Sequence, residues 1–212
     1  MSESLESRVA SKIADCFAGE EGVRRNTFAA AMHCRLIAAN ESISAITSKQ
    51  AHFCGRNCVH CCSQIFSVSR AEVAAITYYL INNREILSTF LVTMAERDRD
   101  YPDRRVLRTE MSSKERELEY FSKKIPCDFL AGSGDCLIYP VRPLNCSAYI
   151  AYAPARICSM EPKGHIPPEA WRTYLDQRLW FESQSCARYP GRDKQTYFWP
   201  FDILDNLQNT DF

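Results

Sequence analysis

A chain of 212 residues with 46% hydrophobic side chains can bury a real core, as one domain or two small lobes. Its 26 basic and 26 acidic residues cancel, which removes the electrostatic case for nucleic acid or an anionic membrane surface as a partner. Eleven cysteines, with no apolar signal-type run at the N-terminus and no stretch long enough to span a bilayer, argue for metal or redox chemistry in a reducing compartment. The expected location is the cytoplasm, and the odd cysteine count speaks against a disulfide framework.

Leu5, Val9, Ile13 and Phe17 recur at four-residue spacing and predict an amphipathic helix over residues 4–17. Gly19 and Gly22 read as the break after it. A longer helix follows, with Phe28, Met32, Leu36, Ile43 and Ile46 on one side. Cys16 and Cys34 fall inside these patterns and are expected to be core thiols, with His33 a packing residue. These elements form an N-terminal helical segment, 1–50.

The helical pattern stops before Cys54-Gly-Arg-Asn-Cys58-Val-His-Cys61-Cys62, which opens a cysteine-cluster segment, 51–160. Four thiols in nine residues allow one loop to turn several sulfurs toward one centre, the donor type that soft metals select. Neighbouring side chains point in different directions, so Cys61 and Cys62 are not expected to serve one small ion together. His52 and His60 flank the loop as candidate zinc ligands, with His60 equally placed to donate to a thiolate.

Ser69-Arg-Ala-Glu72 fits a capping box opening a helix that buries Val73, Ile76 and Leu80. Asn82-Asn83 interrupts it, and Ile86, Leu87, Phe90, Leu91 and Met94 continue in helical period. Glu96 to Arg108 reads as a solvated helix end and connection. Ser112-Ser-Lys-Glu115 predicts another cap, with Leu118, Phe121 and Ile125 inward.

Pro126 ends that helix, and Cys127, Cys136 and Cys146 follow in a stretch whose prolines and glycines predict an ordered loop. Cys158 lies in another irregular stretch. In the final segment, 161–212, Trp171, Leu175 and Leu179 predict a long helix over about 167–186, with Cys186 a structural residue on it. The aromatic tail with Tyr197, Phe198, Trp199 and Phe201 is expected to pack back on the body. The fold class predicted is mainly α, with helices around Cys-rich metal-binding loops.

Eight cysteines therefore lie outside the helical patterns: Cys54, Cys58, Cys61, Cys62, Cys127, Cys136, Cys146 and Cys158. One zinc or one four-iron cluster needs four ligands, so eight leave room for two sites, or for one site and a redox pair. The order Cys54-x3-Cys58-x2-Cys61-Cys62, then Cys127-Asp-Phe-Leu, then Cys136-x-Ile138-Tyr139-x-x-Arg142-Pro143-x-x-Cys146, then Cys158, resembles the YkgJ-type cysteine-cluster family. That family is described as a zinc- or iron-chelating domain. It is related to a domain of the flagellin lysine N-methylase, where methyl transfer is associated with an iron–sulfur cluster. The chain departs from the family pattern in its first three-residue gap, in Asp128 where Pro is usual, and in Ser147 where Arg is common.

The first three cysteines also satisfy the C-x3-C-x2-C spacing of radical S-adenosylmethionine enzymes, but the repeating strands of that fold are missing from the pattern. With seven glycines there is no nucleotide fingerprint, and no hydrolytic triad or H-E-x-x-H motif is present. Arg142 is the candidate cofactor-binding residue, because a guanidinium would offset the negative charge of four thiolates around zinc or a cluster. Its other reading is a helix cap or carboxylate partner. A 4Fe-4S cluster is the expected cofactor, with zinc as the alternative. The expected function is a metal-binding protein, acting as a cluster-dependent modifying enzyme (methyl or redox transfer) on a protein or peptide. The alternatives are iron or zinc delivery or sensing, and a zinc-stapled adaptor.

Overall fold

The computed structural model describes residues 19–49, 51–54, 58–104, 113–152, 154–160, 164–190 and 197–198. Its longest helix, α1 (Gly19–Thr47), buries Ala29, Met32, Leu36, Ala39 and Ile43. Their spacing of three or four residues lays one apolar stripe along the helix. Gly19 opens the helix at φ +69, a conformation that favours glycine, whereas Gly22 continues the helix and is buried. The expected break therefore stands at Gly19 alone. The expected helix over 4–17, and Cys16 on it, lie outside the described residues.

The stripe of α1 packs on α2 (Arg70–Asn82), which is sunk in the core on most of its surface. The capping box expected at Ser69 is present: the Ser69 hydroxyl accepts from the Glu72 amide, and Glu72 accepts from the Ser69 amide. Asn83 closes α2 and opens α3 (Arg84–Asp100), whose Leu87, Phe90, Leu91 and Met94 face inward. Helix α4 (Ser113–Ser122) is followed by the short α5 (Leu144–Ala148) and α6 (Ala155–Cys158), and then by α7 (Pro168–Arg188). Strand β1 (Ser67–Val68) pairs antiparallel with β2 (Tyr197–Phe198), so this piece of the tail does return to the body. Seven helices and this one two-stranded pair make the described residues mainly α. Among them no helix is long and apolar enough to cross a membrane.

Several expected faces are displaced. Cys34 is exposed, because two residues from both Met32 and Leu36 is about 200° around the helix. Cys186 is also exposed and packs in no core. On α7 the buried residues are Ala170, Tyr174 and Phe181, so Trp171, about 100° from Ala170, and Leu179, about 200° from Phe181, remain exposed. On α4, Tyr120 joins Phe121 inside while Leu118 stays outside. His33 does pack as expected, stacked on Tyr79 at 6.0 Å and against Tyr78 at 5.3 Å. Burial pulls its pKa down.

The largest correction concerns the charged connection after α3. Arg104 was expected in solvent, yet its side chain is fully buried. It donates to Asp98 at 2.7 Å, to Asp128 at 2.5 Å and to the Met94 carbonyl at 3.0 Å. A buried guanidinium requires such partners, because an unpaired buried charge costs several kcal/mol.

Candidate metal centre

The first cysteine segment is tied down at both ends. Phe53 donates its amide to the Ala151 carbonyl at 3.2 Å, and the Ala151 amide donates to the Cys54 sulfur at 3.1 Å. Residues 55–57 lie outside the description. The chain then makes a 3-10 turn, His60–Ser63, which carries Cys61 and Cys62. With about three residues per turn, their side chains leave the axis roughly 120° apart. The Cys127 amide donates to the Cys62 carbonyl at 2.7 Å, a backbone bond joining segments that are far apart in sequence.

The second segment turns out of α4 through Lys124, whose φ of +52 lies in the left-handed region. Phe129 is fully buried and stacks on Phe90 of α3 at 4.4 Å, fixing Cys127 against the core. Asp128 does the same through Arg104. Burial pushes Asp128 up to about 6, although the guanidinium opposes the shift. A tight loop follows, held by bonds from the Ala131 amide to Asp135 and from the Gly134 amide to Ala131, both 2.9 Å. Gly134 sits at φ +86, which explains glycine there. The loop closes with a bridge between Leu130 and Cys136, bringing Cys136 back beside Cys127.

Polar side chains of the core then set the remaining pieces. Asn40 of α1 donates to the carbonyls of Pro140 (3.2 Å) and Arg142 (2.9 Å), pinning the turn that carries Arg142. Glu72, already the cap of α2, uses its other oxygen to accept the Leu144 amide at 3.0 Å. One fully buried carboxylate thus holds the N-termini of both α2 and α5, and burial raises its pKa against these donors. Asn145 donates to the Ser67 carbonyl at 2.7 Å and accepts from the Tyr174 hydroxyl of α7. Cys146 follows it in α5.

Six of the eight candidate thiols, Cys58, Cys61, Cys62, Cys127, Cys136 and Cys146, line one cavity of about 450 Å³. Cys54 and Cys158 do not line it. They stand close enough to Cys58 and Cys61 for charge on those sulfurs to raise their own pKa values, after burial. His52 and His60 are not among the lining residues. Among the described residues no group of three or more His, Cys, Asp or Glu is placed to hold a single metal ion. The thiols ring a space instead of converging on a point.

The thiols are not equivalent. Cys61 is lowered to about 7, first by a hydrogen bond from Cys62 and also by the positive Arg142. Cys62 is raised, by giving that hydrogen bond and by burial. Burial pushes Cys127, Cys136 and Cys146 up as well. Arg142 opposes the rise at Cys136 and Cys146. It lines the cavity, and its guanidinium lies over the Tyr139 ring at 4.1 Å. Among the described residues it forms no carboxylate ion pair, and its backbone stands at the C-terminal cap position of the 3-10 turn Tyr139–Val141.

The donor set fits a thiolate-bound metal group: soft sulfurs from both segments, one of them already poised for deprotonation, and a cation beside them. Sequence reasoning missed the supports of this site. Asn40 resembles any polar residue on a helix, and Arg104 any member of a charged run. The one available signal was Asp128, a carboxylate where the resembling family has proline.

A family model, CxxCxxCC, described as "Putative zinc- or iron-chelating domain", matches residues 53–169. No curated protein and no solved structure matches the chain.

Proposed function

The chain belongs to the CxxCxxCC family of zinc- or iron-chelating domains, and from that membership we propose that it holds a 4Fe-4S cluster in the cavity between its two cysteine segments. The observation that carries this reading is the ring of six thiols around about 450 Å³. A structural zinc draws four sulfurs to about 2.3 Å from one point, whereas a cluster takes one sulfur at each of several irons spread over a larger body. Cys58, Cys61, Cys136 and Cys146 fill the ligand places in this reading. Cys61 takes its place without Cys62, whose thiol donates a hydrogen bond to it and is held above its ordinary pKa. Cys62 and Cys127 then line the cavity as further thiols, and Cys54 and Cys158 stand behind Cys58.

When bound, such a cluster supplies electron transfer or a coordination position for a substrate. The residues of this chain supply the rest. Phe129 and the Arg104–Asp128 pair hold the Cys127 segment, Glu72 and Asn145 hold the Cys146 helix, and Arg142 adds positive charge. Tyr139, which lines the cavity, is 54% exposed, so the site opens at the surface. An open site with more thiols than a closed four-ligand shell requires supports chemistry on a substrate over a structural staple. The substrate class in this reading is a protein or peptide, met in the cytoplasm, where thiols stay reduced.

Protein produced and purified without oxygen, with iron supplied, tests the reading. Expected are a brown colour, broad absorption in the visible and iron with inorganic sulfide in equal amounts. Zinc is expected to replace the cluster after aerobic production, because thiolate sites accept both. Colourless, sulfide-free protein from the anaerobic preparation overturns the cluster and leaves zinc, with delivery, sensing or an adaptor role.

A further inference from the structure

We propose that Arg142 is the charge-compensating residue of the thiol cavity, and that it sets the affinity and the reduction potential of whatever metal group the cavity holds. The proposal rests on the metal-site reading above but not on the choice of cluster over zinc.

The placement of this side chain is built, not incidental. Its backbone carbonyl and that of Pro140 both accept from Asn40, which belongs to the buried stripe of the longest helix. Pro140 and Pro143 stiffen the chain on either side. The guanidinium lies over the Tyr139 ring at 4.1 Å, a cation–π contact that holds it without neutralising it. Its Nε is buried and has no hydrogen-bond partner among the described residues. Among the described residues no carboxylate comes within ion-pair distance. The buried Arg104 and the half-buried Arg178, by contrast, each pair with a carboxylate. Arg142 instead lines the same cavity as Cys61, Cys136 and Cys146, which come from both cysteine segments.

The electrostatic consequence follows directly. Four thiolates outweigh the charge of a divalent zinc or of a 2+ cluster, so the assembled site is anionic. A fixed cation beside it stabilises assembly. It also stabilises the reduced cluster, which carries one more negative charge, over the oxidised one, and so raises the reduction potential. Lysine keeps the charge but loses the flat stacking geometry. Glutamine keeps approximate length and polarity and loses the charge.

The test uses the full chain, wild type, R142K, R142Q and Y139L, loaded in two ways. One portion receives ferrous iron and sulfide without oxygen, and its midpoint potential is read by redox titration. The other receives cobalt(II), whose sulfur-to-metal absorption reports thiolate ligation and affinity. R142Q is expected to shift the midpoint to a more negative potential. At the wild-type midpoint its reduced-to-oxidised ratio should fall by about tenfold, which is 59 mV for one electron. Its cobalt affinity should fall by about the same factor. R142K should stay near wild type in both readings. Y139L, which frees the charge from its platform without touching a thiol, should shift both in the direction of R142Q but by less. If R142Q folds poorly, Y139L and R142K carry the comparison. A midpoint and a cobalt affinity unchanged in R142Q and Y139L overturn the proposal. So does R142K moving as far as R142Q, which would place the effect in shape and not charge. If wild type binds cobalt but assembles no cluster, the cluster reading fails while the cobalt series still decides the role of Arg142.

Discussion

The buried pair beside Cys127 offers the sharpest test of how this site is supported. Arg104 and Asp128 both have side chains with no solvent exposure and meet at 2.5 Å, while Asp98, the second partner of Arg104, is about one-third exposed. Removing Asp128 as D128A leaves a guanidinium in the core with Asp98, itself partly hydrated, as the carboxylate that pairs it. Breaking a buried pair in this way costs about 3–5 kcal/mol, because the surviving charge stays desolvated. For a chain of this size that corresponds to a fall in Tm of about 6–20 °C. Replacing both members by apolar side chains of similar size, as R104M/D128L, removes the desolvation along with the attraction. Asp98 is exposed enough to recover water, so the double variant should melt within a few degrees of wild type. Differential scanning calorimetry on wild type, D128A, R104M and R104M/D128L at matched metal content gives the comparison. D128A melting within about 2 °C of wild type would refute the reasoning, as would a double variant that loses the sum of the two single losses. The first outcome means the pair bears no charge burden. The second means that the two side chains are needed for shape, not for each other.

Four further outcomes are expected. Cys58→Ser, Cys61→Ser, Cys136→Ser and Cys146→Ser should each lower bound metal, measured by elemental analysis, whereas Cys34→Ser and Cys186→Ser should not, since both thiols are exposed on helices away from the cavity; equal losses in both groups would remove the distinction. Glu72→Ala should release the Leu144 amide, and hydrogen exchange there should quicken by about tenfold or more, because a buried donor left unpaired costs about 1–3 kcal/mol. Burial raises the folded-state pKa of Glu72 above its ordinary value, so its contribution to stability is full below that ordinary value and is lost as pH rises through the folded one; E72Q should flatten the stability–pH curve over this range, and an unchanged slope would exclude Glu72 as its source. Metal removal should loosen residues 58–62 and 127–146 together, since the Cys127 amide bonds the Cys62 carbonyl; exchange confined to one segment would mean two independent sites.

Local patterns in the sequence determined a good deal. The apolar stripe of Met32, Leu36 and Ile43, the capping box at Ser69 and Glu72, the interruption at Asn83 and the long final helix were all legible, because each depends on residues within one or two turns of each other. Cysteine spacing and order also pointed to metal chelation, since ligand chemistry is carried by residue type. The fine register of α7 was not legible: Trp171 is larger and more apolar than Ala170, yet the side that meets the core is chosen by Tyr174 bonding Asn145 across the fold. The partition of the eight cysteines was equally hidden. Six line one cavity and Cys54 and Cys158 do not; the loop after Cys127 folds back through Gly134 and the Cys62 carbonyl receives the Cys127 amide, contacts that no local pattern shows. Asn40, Glu72, Arg104 and Asp128 look alike as polar letters in the chain. Only the tertiary structure separates them from solvated residues, because burial makes each donor and acceptor demand a partner that lies far away in sequence.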